Sequence, residues 1–343
     1  MSVLLLAVVA TLVGCGHGTA DGAQVAGPTP APAPTHPTFD SARAWTYLTA
    51  QTAFGPRPLG SPAHAKCLAW LQSEMSKYAD VTIAQKFTYH QMPCTNVVGV
   101  FYPAGSTKPS QHPVLILAHW DTRPIADGPY STVAKLSPPY SFSSNGWNRV
   151  NPILGADDGA SAVGVVLELA KLFKQQRPPV GVVLLLDDGE DYGDFNANNG
   201  DGDGVELGSR YFAKNFSKDP RFGKPEWGIL LDMIGMRNLF IPRESASQQF
   251  AGSLNDRVFG VAQSLGYGKV FRSDEMQDVG DDHLALNKAG IPTIDLIDPL
   301  PYPPYQNTGY IYWHTLEDTV DKCDAQSLKA VGDVVTSVVY SGD

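Results

Sequence analysis

Val182-Val183-Leu184-Leu185-Leu186-Asp187-Asp188-Gly189-Glu190-Asp191 is the stretch whose reading decides the fold. Five apolar residues run unbroken into four acids interrupted by one glycine. An apolar run of this length predicts a strand buried on both faces, as inside a parallel sheet. Carboxylates so close to it are costly to bury without partners. They are expected to emerge at the strand's carboxyl end, where open α/β sheets place their sites. A solvated acidic turn is the plain alternative, and the other strand ends argue against it.

Residues 114–118 form a second apolar run, ending in His119-Trp120-Asp121-Thr122-Arg123-Pro124. Residues 227–231 form a third, ending in Asp232-Met233-Ile234-Gly235, and residues 293–297 are read as a further strand. Gly155-Ala156-Asp157-Asp158-Gly159-Ala160 opens an apolar helix to about Lys174. Helix N-termini favour carboxylates, so capping accounts for one of Asp157 and Asp158 but not for both. Upstream, Asp40 is placed to cap a helix reaching about Phe54. A proline-stiffened loop, 55–62, leads to a helix over 63–78. Strands are expected over 81–89 and 96–102, the first alternating as an outer strand does. Further helices are expected over 207–215, 254–265, 281–288 and 325–340. Strands alternating with helices predict a three-layer α/β architecture, with a mostly parallel, twisted central sheet and helices on both faces.

The chain has 343 residues, 43% hydrophobic, with a formal net charge of −10. That balance suits a large-cored globular protein and argues against a nucleic-acid partner, which needs a basic footprint. Residues 3–13 are apolar but too few to span a bilayer as a mature helix. They end in Leu12-Val13-Gly14-Cys15, which resembles the bacterial lipobox, although no Lys or Arg precedes the run. The resemblance implies a signal peptide over 1–14, a lipid anchor at Cys15 in the bilayer, and export to the cell envelope. A cleaved secretory signal with an incidental Cys is the alternative. Residues 15–38, rich in Pro, Gly and Ala, read as a tether. One catalytic domain is expected over 39–343. Cys67, Cys94 and Cys323 remain, and in an exported protein two of them are candidates for a disulfide. Asp194, Asn196, Asn198, Asp201 and Asp203 resemble a calcium loop, but the EF-hand pattern fails at its sixth place, Asn199. A mobile surface loop is the other reading.

His119, Asp158, Glu190, Asp191, Asp232 and His314 fall at strand ends or in the loops beyond them. These residue types bind zinc in catalytic sites. A metal also supplies the partner that buried acids require. The motif set His119-Trp120-Asp121, Gly155-Ala156-Asp157-Asp158, Asp188-Gly189-Glu190-Asp191, Gly208-Ser209-Arg210, Leu231-Asp232-Met233-Ile234-Gly235, Asp281-Asp282-His283 and Trp313-His314-Thr315 resembles the zinc aminopeptidase family. The last three favour its glutaminyl cyclase branch.

The resemblance implies Asp158, Asp191 and His314 as zinc ligands and Glu190 as general acid/base. It implies Asp232 and Asp281 as buried acids beside the metal, and Trp313 as a wall of the substrate pocket. In two-metal aminopeptidases the residues matching His119 and Asp232 hold a second zinc, bridged by that matching Asp158. One zinc is therefore the leading expectation and two the alternative. The implied activity converts the N-terminal Gln of peptides or proteins to pyroglutamate with release of ammonia. The runner-up is a two-zinc aminopeptidase; a non-catalytic metal-bound binding protein comes third, and the intact Glu190 speaks against it. Two departures stand out. Asp191 replaces the Glu of animal cyclases, with a shorter reach, and Asp295 stands where they have a His. The metal count, the substrate and the oligomeric state are left open by the sequence.

Overall fold

The computed structural model describes residues 36–132, 151–195, 202–298 and 311–342. Residues 35–343 form one unit. The amino-terminal elements are α1 (Ser41–Thr52), α2 (Pro62–Tyr78), β1 (Val81–Tyr89), β2 (Met92–Phe101) and β3 (Val114–His119). They are followed by α3 (Ala160–Gln175), β4 (Val182–Asp187), α4 (Leu207–Asn215), β5 (Trp227–Asp232) and β6 (Ile241–Glu244). The chain continues through α5 (Ser245–Ser264), β7 (Phe271–Gln277), α6 (His283–Lys288), β8 (Thr293–Ile297) and α7 (Ala325–Ser341).

Every residue of β4 is buried, as its unbroken apolar run requires. It lies inside a six-stranded sheet of order β1-β2-β4-β3-β5-β8. Leu186 pairs with Ala118 on the parallel side and with Val97 on the antiparallel side. The β4-β3-β5-β8 half is parallel, and β1 and β2 add an antiparallel edge. Side chains alternate across a strand, so each strand feeds two cores. Ile116, Leu184, Leu186 and Leu231 pack with α1, α2, α3, α5 and α7 on one face. Leu115, Leu117, Val183 and Leu185 pack with Phe212 of α4 and Leu286 of α6 on the other. The three layers expected from the sequence are these two helical faces and the sheet between them.

α3 is apolar nearly all round, and most of it is buried. Gly164 is the point where α1 crosses it. A Cβ there would lie 2.7 Å from the Ala44 carbonyl oxygen. Glu168 is the buried charged residue of this helix, and Arg43 of α1 grips it at 2.6 and 2.9 Å. Such a two-bond pairing makes a buried carboxylate tolerable.

Several expectations are corrected. The second, two-stranded parallel sheet β6-β7 has no counterpart in the sequence reading. β6 is short and carries Pro242, and β7 is polar with a single buried residue, so neither gives a strand signal. α5 begins at Ser245, not near residue 254. Its first turn is polar, and Glu244 fixes its start by accepting from the amides of Ala246 and Ser247. β2 begins at Met92 rather than residue 96. Neither Asp157 nor Asp158 caps α3; the N-cap is Gly159, with no side-chain hydrogen bond. The cysteines form no disulfide: Cys67, Cys94 and Cys323 are free and buried. The leader with Cys15, most of the tether, Asn196, Asn198 and Asp201 of the acidic loop, and residues 299–310 lie outside the described residues. Asp194 and Asp203 close the base of that loop by backbone bonds of 2.9 Å each way, and Asp203 accepts from Tyr89. No helix among the described residues is long and apolar enough to cross a membrane.

Candidate active site

The carboxyl ends of β3, β4, β5 and β8 lie side by side. Just past β4 the chain reverses at Gly189, whose φ of +77° is a left-handed conformation that glycine takes freely. The turn sorts the four acids. Asp188 points away from the site, with Oδ1 2.7 Å from His64 Nε2 and Oδ2 accepting from the Thr95 amide at 2.6 Å. Asp187 is fully buried alongside Asp282, which accepts from the Ser209 hydroxyl. Glu190 and Asp191 turn toward His119, Asp158 and His314.

Two groups of donor atoms converge there. His119, Asp158 and Asp232 form one, and Asp158, Asp191 and His314 the other. Within each, the potential ligand atoms all lie within 4.8 Å of one another. His119 Nε2 is 3.2 Å from both Asp158 Oδ1 and Asp232 Oδ1. His314 Nε2 is 2.8 Å from Asp191 Oδ1 and 3.6 Å from Asp158 Oδ2. Asp158 belongs to both groups, one oxygen facing each His. All five residues expected from the sequence as ligands for one or two metals are thus brought together.

The residues around them hold this arrangement. His314 Nδ1 lies 3.4 Å from Asp127 Oδ1, an orientation that fixes which ring nitrogen faces Asp191. Arg123 donates two bonds to the Asp127 carboxylate and two more to the carbonyls of Asp191 and Gly193. Its guanidinium also lies over the Phe195 ring, 5.3 Å from the centroid. His314 and Met233 have φ of 53° and 48°, left-handed values for residues with a Cβ. Backbone strain of this kind, about 1–3 kcal/mol per residue, clusters at functional sites. Arg57 is fully buried and donates to the carbonyls of Gly55, Trp120, Leu154 and Gly155, tying the loop before Asp158 to the end of β3.

A pocket of about 250 Å³ opens onto these groups. Its apolar wall is Phe195, Met233, Val279, Ile297 and Trp313. Its polar side is Asp158, Glu190, Asp232, Asp278, Asp281, Asp298 and His314. Burial, together with Asp191, Asp281 and Asp282 close by, pushes the Glu190 carboxyl well above the usual range, against the pull of His119. Burial, then Asp232 and Asp282, does the same to Asp281. Burial alone would lower His314, but Asp191 and Asp127 raise it to about 9. Trp313 stacks on His314 with ring centroids 3.7 Å apart and lines the pocket, as expected of a wall. Asp295 is fully buried on β8 and faces His283 Nδ1 at 3.9 Å, away from the pocket lining.

The donor set fits a zinc ion. Both Asp191 oxygens and Asp158 Oδ2 are buried and accept no hydrogen bond. Orphaned carboxylate oxygens in the interior are costly, and a cation between Asp158, Asp191 and His314 would satisfy them. Two carboxylates and an imidazole are ordinary zinc donors.

A sheet with this order and a carboxylate–imidazole cluster at its parallel strand ends define a metal-dependent exopeptidase-like enzyme. Residues 96–339 match Peptidase family M28, and the chain belongs to that family. It is 34% identical to a leucine aminopeptidase precursor from Bacteroides thetaiotaomicron, with a TM-score of 0.74 and coverage of 90% of this chain and 99% of that one. To Tannerella forsythia glutaminyl cyclase it is 33% identical, with a TM-score of 0.75 and coverage of 90% and 100%. Aminopeptidase YwaD of Bacillus subtilis is 23% identical over 254 residues, 71% of this chain; the match spans only 44% of YwaD. The family and fold expected from the motifs are borne out.

The sequence reading missed Asp121, Asp127, Arg123, Asp318 and Phe195 as parts of this site. Asp121 stands inside a quoted motif, two residues past His119, and a carboxylate there was a usable signal. Asp127, Phe195 and Asp318 lie in loops whose course only the folded chain reveals.

Proposed function

We propose that this chain is a zinc-dependent glutaminyl-peptide cyclotransferase, which closes the N-terminal Gln of a peptide or protein to pyroglutamate and releases ammonia. The observation that carries the reading is the convergence of Asp158, Asp191 and His314 on one point, with Glu190 and Trp313 lining the same pocket. The likeness to a glutaminyl cyclase over nearly the whole of both chains supports it. We assign one zinc, held by Asp158, Asp191 and His314. When bound, it supplies Lewis acidity toward the side-chain amide carbonyl of the substrate.

The remaining work falls to the chain's own residues. The reacting amine and amide belong to one molecule, so proximity is largely built in. Glu190 takes a proton from the α-amine as that nitrogen attacks the amide carbon, and delivers a proton to the nitrogen that leaves as ammonia. A carboxyl raised by burial and neighbouring acids is suited to both halves of that exchange near neutral pH. Asp281, raised in the same way, stands beside it in the pocket as a second acid. Trp313 and the apolar wall exclude water, which would otherwise compete as nucleophile.

The second reading, a two-zinc aminopeptidase, is favoured by one observation: the His119–Asp158–Asp232 group shares Asp158 with the first. One experiment separates them. A peptide beginning with Gln is incubated with the zinc-loaded protein and weighed by mass spectrometry. Loss of ammonia supports the cyclase. Loss of the whole first residue supports the peptidase and overturns our reading. We also propose that the protein is exported and lipid-anchored through Cys15, with residues 39–343 as the catalytic domain; the apolar leader and the lipobox-like Leu12–Cys15 segment support this.

A further inference from the structure

We infer that Asp318, paired with Asp121, is a positioning residue that shapes the metal centre through the backbone. This deepens the zinc reading of the same site and rests on it. The Asp318 carboxylate touches no donor atom of the cluster. Its Oδ1 accepts from the Asp157 amide at 2.8 Å, and its Oδ2 from the Asp158 amide at 3.2 Å. Asp121 does the same on the other side of the site. Its Oδ1 accepts from the Glu190 amide at 3.1 Å and its Oδ2 from the Asp191 amide at 3.4 Å. Each carboxylate therefore clamps two consecutive amides of a turn that carries a proposed ligand.

The clamps also cross between chain segments. Asp318 lies four residues after His314, so it ties the His314 segment to the Asp158 turn. Asp121 lies two residues after His119, so it ties the end of β3 to the Glu190–Asp191 turn. Both carboxylates are buried, with relative exposures of 1% and 0%. Asp318 forms no ion pair among the described residues, and its hydrogen-bond donors are the Asp157 and Asp158 amides, whereas Asp121 Oδ1 also lies 3.6 Å from His119 Nδ1. A fully buried carboxylate with no Lys or Arg counter-ion is expensive. Convergent amides are what lowers that cost, and the bonds set where Asp158 and Asp191 aim. The remaining face of the Asp158 turn is gripped from below by Arg57 through the Gly155 carbonyl. Asp157, next to the ligand, is turned away from the cluster and accepts from the Gly235 amide at 2.6 Å.

Asp318→Asn tests this directly. Asn keeps one acceptor oxygen but presents N–H groups to the second amide, so one clamp bond is lost at nearly constant shape. The full chain, its Asp121→Asn counterpart and the unaltered protein are compared in two measurements. Zinc affinity is read by competition with a chelator, and the melting temperature is read with and without zinc. We expect each variant to bind zinc about 10–100-fold more weakly and to gain less Tm on zinc addition. A merely structural role would lower the two melting temperatures equally and leave zinc affinity within twofold; that result overturns the proposal. If one variant does not fold, the other decides. If neither folds, the carboxylates belong to the fold itself and the proposal falls. An unaltered protein that binds no zinc fails the functional reading instead, and is told apart by that first measurement.

Discussion

His314 Nε2 lies 2.8 Å from Asp191 Oδ1, yet that oxygen accepts no hydrogen bond. The two atoms are close without being aligned on each other, as donors aimed at a common third point are. Two consequences follow for metal binding. Zinc should raise the melting temperature of the metal-free protein, by an amount equivalent to about 4 kcal/mol at a free concentration a thousandfold above Kd. Exhaustive chelation should abolish activity, and zinc should restore it. Full activity in protein shown by elemental analysis to be metal-free would contradict the assignment.

The Glu244–His283 pair sets an acid limit on stability. Burial alone would push the Glu244 carboxyl up. The bond to His283, with Nε2 3.1 Å from Oε2, and those from the Ala246 and Ser247 amides outweigh it and hold the group at about 2. An unfolded Glu titrates near 4.3. A depressed folded value means the contribution is present in full above the unfolded value and is lost as pH falls toward 2. Glu244→Gln should therefore cost about 1–3 kcal/mol at neutral pH and flatten the fall of stability between about pH 4.5 and 2. Denaturant titrations across that window check it; parallel curves for the two proteins would show that the pair is not the source.

The three buried cysteines should be silent in the folded protein. Cys67, Cys94 and Cys323 are free and buried, and burial pushes the Cys67 thiol up to about 12. The thiolate is the reactive form. With Cys15 replaced by Ser, a thiol reagent at neutral pH should find no thiol in the native state and three after denaturation without reductant. Fewer than three after denaturation would indicate a disulfide and restore the pairing that the exported location suggests.

The sheet was legible because its central strands are buried on both faces and so read as unbroken apolar runs. β4 and β3 are of this kind, and their ends led directly to Glu190, Asp191 and His119. β6 and β7 were not legible, since they pack at the margin and carry no such run. At the site, side chains that point at the metal are of recognisable types. Those that act on the backbone are not. Asp318 resembles any other acid in a loop until the amides of a distant turn are seen to converge on it. Asp157 misled in the opposite way. Its place before α3 suggested capping, whereas it binds the Gly235 amide; Asp158, expected as a ligand, faces both histidines.

Glu190 and Asp191, though adjacent, should fail differently. Asp191 Oδ1 faces His314 Nε2 and both its oxygens are orphaned, so its task is to hold a cation. Glu190 lines the pocket, and its carboxyl is raised by burial and by the acids around it, so its task is to move a proton. The turn at Gly189 and the Asp121 clamp aim the two carboxylates apart. Asp191→Ala should lose zinc, and activity with it. Glu190→Gln keeps the size and most of the hydrogen bonding but cannot cycle a proton. It should retain zinc and the fold while kcat falls about 10²–10⁴-fold, with KM little changed because the binding contacts remain. Metal content by elemental analysis and steady-state kinetics on a Gln-initiated peptide give both readouts. Zinc lost from Glu190→Gln but kept in Asp191→Ala would exchange the two roles. Near-normal turnover and equal metal content in both would move the active site elsewhere.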